Sequence, residues 1–445
     1  MTHRASGRLG AAPHQTCPAR SDDIQGLITL TNTTSATHPA RATAAETTEP
    51  PRTLPRLPQA GAFVAIALTF AALYLAAGAP TPLLVVFQQQ WHFPAWVLTV
   101  AFAAYAIGLV TSLPVVGSLS DHIGRRPVLI VSLVVGLLSM LMFVFASDIG
   151  WVIAARAVQG IATGAATSAF SASVVENAPA RYKRLGTIIG SIAPAGGLGI
   201  GALFTGIVVQ FSAQASVIVF TTLAVIMALG TVAVVFSAET ASPRPGALRS
   251  LVPDVRVPQQ ARSEFVAAIP VLTAAWMLAG LFLGLAPTII HTLFDLHSGL
   301  LDGATAFIQP ATAAIVGLFL GRFTTRRTII IGTIGALGGA AVIVAGVVVG
   351  VLPLLWIGGF IGGIGFGASF SGSIRAVAPL AERHERAGLF AAIYLVSYLS
   401  FGVPAIIAGV LDSSIGLLST VIIYGVAIIV AAGAGLAAQL RRSRA

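Results

Sequence analysis

From Gly61 onward the chain alternates between apolar runs and short polar breaks. Each run is about 20 residues long, enough to cross a ~30 Å hydrocarbon layer as a helix. The runs fall near 61–82, 97–117, 127–147, 151–174, 186–209, 215–237, 266–290, 304–322, 328–349, 354–375, 387–410 and 415–438. Helix is the predicted element, because it pairs every backbone N–H and C=O within the segment, as lipid demands. The longest polar break after the N-terminal region is 239–264, and it divides six runs from six. The pattern predicts an all-α membrane protein of twelve transmembrane helices in two pseudo-symmetric six-helix bundles. The bundles would occupy 59–238 and 265–445, the second with a short tail, joined by a cytoplasmic linker at 239–264.

Residues 1–58 carry no hydrophobic period and are rich in Thr, Ala, Pro and Arg. They read as a disordered cytoplasmic tail, or as sequence upstream of the true start. They lack the apolar core of a signal peptide. Composition agrees with a lipid solvent: hydrophobic residues make up 56% and charged residues 9%, against about 25% charged in soluble domains. The single Cys17 excludes an intrachain disulfide and a cysteine-rich metal site.

A net charge of +10 invites a nucleic-acid reading, but the placement of charge argues against one. Of 25 basic residues, 24 fall in the tail, the alternate loops 2–3, 4–5, 8–9 and 10–11, the central linker and the C-terminus. No outer loop holds one. This is positive-inside patterning, which places both termini in the cytoplasm of a bacterial-type inner membrane and requires an even number of helices. The halves also repeat at an offset of about 200 residues, as parallel transporter repeats do. Gly160 and Gly164 match Gly363 and Gly367, Pro179 and Gly186 match Pro379 and Gly388, and Gly117 with Arg125-Arg126 matches Gly317 with Arg326-Arg327.

The most informative segment is Gly117-Ser-Leu-Ser-Asp121-His-Ile-Gly124-Arg125-Arg126-Pro127. Gly124 permits a tight turn, Asp121 supplies an acceptor, and the two arginines face the cytoplasm. This run resembles the signature loop between helices 2 and 3 of the major facilitator superfamily. Arg156-Ala-Val-Gln159-Gly160 is similar to the superfamily's second motif. The resemblance implies secondary transport by rocking of the two halves, with Gly117, Asp121, Gly124, Arg125 and Arg126 acting as a gate that latches one half to the other. Two departures stand out. Ala202 occupies the place where drug/proton antiporters of the superfamily carry proline, and Gly321 stands in the second half where Asp121 stands in the first.

Arg156 is the one basic residue inside an apolar run, about 7.5 Å along the helix from Trp151. A charge inside the membrane is costly and points to function. Its helical stripe continues through Gln159, Thr163 and Thr167, and Arg156, Gln159 and Thr163 are candidate cavity or coupling residues. Tyr74, Tyr105, Trp276 and Gln309 are further candidates, as are Tyr394, Ser397 and Tyr398, which share one helical face. No carboxylate falls in the middle of a run. Proton coupling would therefore rest on Glu176, on Asp121, or on a pair made by His291 with Asp295 in an outer loop, where Asp302 and Asp412 are also placed; the alternative is a chain with no proton coupling. Gly365-Phe-Gly367 follows no strand, so it is no nucleotide loop. With no metal-ligand spacing or catalytic set, neither cofactor nor enzymatic activity is expected. The expected partners are a small organic solute, lipid and protons, with the chain monomeric. Efflux is the expected direction, favoured by the glycine run 197–201. Uptake of a nutrient such as a sugar or carboxylate is the rival within the superfamily. A non-transporting membrane sensor on the same fold is the rival of another class.

Overall fold

The computed structural model describes residues 56–241, 245–251, 255–382 and 385–441. Residues 1–55 of the tail read over 1–58, Cys17 among them, and the counted Arg244, Arg383, Arg442 and Arg444 lie outside the described residues.

Among the described residues, twelve helices are long and apolar enough to cross a membrane. They are α1 (Gln59–Trp91), α2 (Ala95–Val116), α3 (Arg125–Val144), α4 (Ile149–Asn177), α5 (Ala180–Phe211), α6 (Ala215–Val235), α7 (Gln259–Leu293), α8 (Gly299–Phe319), α9 (Thr325–Val349), α10 (Leu352–Leu380), α11 (Gly388–Ile415) and α12 (Leu417–Arg441). Each contains its predicted apolar run or overlaps most of it. Several extend beyond the apolar run into polar sequence. α7 starts at Gln259, inside the stretch expected to be linker, because polar first turns are as helical as apolar ones and carry no hydropathy signal. At 35 residues it is about 52 Å long, well beyond the hydrocarbon thickness. A wide turn at Leu281–Leu285 breaks its regular ladder, a feature that often marks functional positions in helices.

Local chemistry sets the ends. The Asp148 carboxylate accepts from the N–H groups of Gly150 (2.7 Å) and Trp151 (3.2 Å) and so caps α4. Thr324 caps α9 in the same way, through the N–H of Arg327. Gly124 has φ 101°, a conformation closed to most side chains, and it turns the chain abruptly into α3.

Helices approach closely where glycines repeat. Gly160 and Gly164 of α4 lie against the Tyr105 and Leu109 backbone of α2, and Gly363 and Gly367 of α10 lie against Gln309 and Ala313 of α8. These are the small-residue contacts by which membrane helices associate. The first six helices pack into one bundle and the last six into another, and the two meet chiefly along α2–α11 and α5–α8.

That meeting is tight at one end only. The end bearing Arg125, Arg181 and Arg326 is here called the basic end. At the far end, Gly206 of α5 sits directly on Gly299 and Gly303 of α8, backbone against backbone. Gly409 of α11 likewise packs on Thr99 of α2. Further along, the rings of Phe102 and Phe401 lie 4.7 Å apart. Toward the basic end the helices diverge, until a Cβ built on Gly317 would meet nothing within 4 Å.

Candidate functional site

A cavity of about 500 Å³ lies between the halves, in the space this divergence leaves. Seven of the candidates named from sequence line it: Tyr74, Tyr105 and Arg156 from the first half, and Trp276, Gln309, Tyr394 and Tyr398 from the second. Three do not. Gln159 turns to α1, donating to the Ala76 carbonyl at 2.7 Å. Thr163 donates to the carbonyl of Gln159 one turn back, and Ser397 is fully buried away from the cavity. A helical stripe four positions long spans a wider arc than the cavity wall, so its members part company.

Arg156 is 2% exposed, and no carboxylate pairs with it among the described residues. Its Nη1 donates to the Ala77 carbonyl (3.0 Å) and to Gln159 Oε1 (2.5 Å), while the guanidinium lies 4.5 Å over the Tyr105 ring. Gln159 therefore holds the guanidinium and does not line the cavity. With both acceptors inside the bundle and only 2% of the residue exposed, the side chain points into the molecule and does not snorkel to headgroups.

The opposite wall is aromatic. Trp276 has ring partners in Phe366 (5.2 Å), Phe370 (5.5 Å), Tyr398 (4.8 Å) and Phe401 (5.9 Å). The three phenylalanines were missed from sequence. Phe401 extends the face of Tyr394 and Tyr398 by one further turn, a signal that could have found it. Phe366 and Phe370 had none, since phenylalanine in an apolar helix is ordinary. Arg375 was also missed as a cavity residue; it stands at the basic mouth and donates to Thr328 Oγ1 at 2.6 Å.

The motif loop forms a charge cluster beside that mouth. Arg125 pairs with Glu176 of α4 (2.9 Å) and with Asp121 (3.1 Å), and Thr240 Oγ1 donates to Glu176 at 2.6 Å. Glu239, unnoticed in the sequence, accepts from the N–H groups of Arg125 (2.8 Å) and Arg126 (3.0 Å). It occupies the N-terminus of α3, where the helix dipole favours an anion. Arg126 donates to the Val235 carbonyl, and Gly117 presents its carbonyl to Ser168 (3.1 Å). These partners all belong to the first half or the segment just after it. In this conformation the loop ties its own bundle together.

Two acids differ from expectation. His291 was paired with Asp295, but its Nε2 lies 2.8 Å from Asp302, while Asp295 only approaches His297 at 3.9 Å. Asp302 was placed in a loop, yet it sits in the first turn of α8 and is 2% exposed. The cap formed by Ser298 starts the helix five residues earlier than hydropathy indicated, which turns Asp302 inward. Asp412 likewise lies within the last turns of α11. Gln89 of α1 reaches His291 Nδ1 at 3.2 Å, so this part-buried pair also touches the first half.

A sequence profile described as Major Facilitator Superfamily matches residues 66–323. A search of curated proteins finds no match. Among solved structures, a bacterial homologue of the human lysosomal transporter Spinster, in an inward-facing and unoccupied conformation, superposes with a TM-score of 0.70 at 11% identity, covering 86% of this chain and 97% of that one. A mutant of the nucleoside transporter NupG gives 0.67 at 14%, covering 85% and 99%. A mutant of the peptide transporter POT in complex with sulfate gives 0.69 at 15%, covering 88% and 97%. At such identities the likeness is one of fold.

Proposed function

The chain belongs to the major facilitator superfamily, and from that premise we propose that it is a secondary active transporter exporting a small organic solute by alternating access. The observation that carries this reading is the cavity between the halves, open at the basic end and closed by glycine contacts at the other. A cavity accessible from one side at a time is what rocking bundles require. Export is favoured in this reading by the glycine run: Gly197 and Gly201 press on α1 while Gly199 meets Phe307 of α8, small contacts that would let α5 shift between its two neighbours. Accumulation assays in inverted vesicles against a chemical library, with and without an uncoupler, test it. Uptake into right-side-out vesicles alone would favour the importer, and no flux of any compound would favour the sensor.

The basic end is assigned to the cytoplasm on the positive-inside distribution of Arg and Lys. A reporter fused at Arg249 or after Arg442 should read cytoplasmic, and one at Ser298 external. An external signal at Arg249 would overturn the orientation. With that sidedness the structure is inward-open, and Asp121, 57% exposed and pairing only within its own half, is free to meet the start of α11 when the cytoplasmic side closes.

Protons are the coupling ion in this reading, and His291 with Asp302 is the carrier. Glu176, the earlier candidate, is committed to Arg125 and Thr240. Asp302 is buried, faces His291 with His297 nearby, and connects through Gln89 to the other half, so its charge state can bias the rocking. Asp302→Asn keeps shape and removes the titration. It should leave solute exchange in proteoliposomes intact while removing stimulation by an imposed proton gradient. Stimulation equal to that of the wild-type chain would exclude Asp302.

A further inference from the structure

The cavity's hydrogen-bonding inventory is lopsided. Four buried nitrogens in its wall have no partner: Arg156 Nε, Trp276 Nε1 and Gln309 Nε2 in its depth, and Arg375 Nε at its mouth. The three deep residues are 2%, 8% and 1% exposed, respectively. All four atoms are donors and nothing else, and the one unpartnered oxygen in the wall, the Tyr105 hydroxyl, can donate as well as accept. A buried donor without an acceptor is costly, and native structures leave few of them. The charges are equally one-sided. Among the described residues the lining carries Arg156 and Arg375 and no Asp, Glu, Lys or His. A guanidinium held in the membrane with no carboxylate beside it is compensated only in part by a carbonyl and an amide oxygen.

From this we infer that the cavity selects aromatic organic anions, such as ring carboxylates, and rejects organic cations. The acidic group accepts from Arg156 on the first half and from Gln309 Nε2 on the second. The ring lies along the wall of Trp276, Phe366, Phe370 and Tyr398, edge or face against those rings in the offset arrangements aromatic pairs favour. A cavity of about 500 Å³ suits a molecule of one or two fused rings with room for water. A solute bound this way bridges the halves, so its affinity depends on how they are rocked together. A cation would meet two arginines and no counter-charge. The inference rests on the transporter reading only for where the solute binds.

The test uses the full chain in lipid nanodiscs and three matched probes: 2-naphthoate, neutral 2-naphthalenemethanol and cationic 2-naphthylmethylammonium. Calorimetric titration should show naphthoate binding at least tenfold more tightly than either analogue. Arg156→Gln should remove that preference, weakening naphthoate tenfold or more while changing the alcohol less than threefold. Gln309→Met, a change of similar volume that removes the free amide donor, should weaken naphthoate several-fold and serves if Arg156→Gln does not fold. Binding of the ammonium probe as tight as that of naphthoate, no binding of naphthoate, or unchanged naphthoate affinity in both variants would overturn the inference. Flux in proteoliposomes separates this from the parent reading. Arg156-dependent naphthoate binding with no translocation of any compound would sink the transporter and leave the anion site standing. Translocation of cations by a chain that does not bind naphthoate would do the reverse.

Discussion

Arg156→Ala should cut transport at least tenfold while the protein still inserts and melts at an unchanged or higher temperature. The two halves of that expectation have separate causes. Transport falls because the cavity loses the charge that meets the solute. Truncating one partner of a buried, hydrogen-bonded charge pair costs about 2–5 kcal/mol, and each 1.4 kcal/mol is a factor of ten. Stability holds because Arg156 is buried without a carboxylate, so the native state already bears its desolvation. Removing it relieves that cost, against which stand two abandoned acceptors, Ala77 O and Gln159 Oε1, at about 1–3 kcal/mol each if water does not reach them. The open cavity supplies water to both. Arg156→Lys should rescue part of the flux, since it restores charge but not the planar fork. Flux and thermal stability measured on the same preparations decide the matter: loss of both together would make Arg156 a strut between α4 and α1, not a solute contact.

The contrast between Arg156 and its neighbours shows what sequence can carry. Twelve helices were legible because lipid imposes a length and a charge rule on each, independent of tertiary detail. Arg156 was legible because a charge in such a segment has no cheap explanation. Gln159 and Thr163 lay on the same stripe, yet Gln159 turns to α1 and Thr163 bonds back to its own helix; which side of the stripe faces a cavity depends on how the helix is rotated in its bundle. Asp302 was misplaced for a related reason: a helix start set by a serine cap leaves no mark in hydropathy. Glu239 was invisible as a motif member because it acts from more than a hundred residues away, on the N-terminus of α3. The aromatic wall was half visible, as the polar tyrosines of α11 stand out in an apolar helix and the phenylalanines of α10 do not.

Gly206→Val should trap the transporter away from the conformation described here. At that position α5 and α8 touch through Gly206, Gly299 and Gly303, and a Cβ on Gly206 would overlap the Gly299 carbonyl and the Gly303 backbone. Neither obstacle is a flexible side chain, so the helices themselves must part at the far end. Extra methylenes forced into a packed contact cost about 1–3 kcal/mol. The outward-open state separates these helices and escapes that cost, so the penalty falls on one state only. A differential of that size shifts the ratio of states by about 5- to 150-fold. Ser191, exposed in the cavity wall near the basic mouth, reports the shift. In a Cys17→Ser background, labelling of Ser191→Cys by an impermeant maleimide from the basic side should fall severalfold in Gly206→Val, and flux should fall with it. Gly433→Val is the control, because a Cβ there meets nothing within 4 Å; it adds the same side chain to a helix without touching the seal. If Ser191→Cys labels equally in Gly206→Val and Gly433→Val, and flux is equal too, the glycine contact is packing alone and the halves do not part at this crossing during transport.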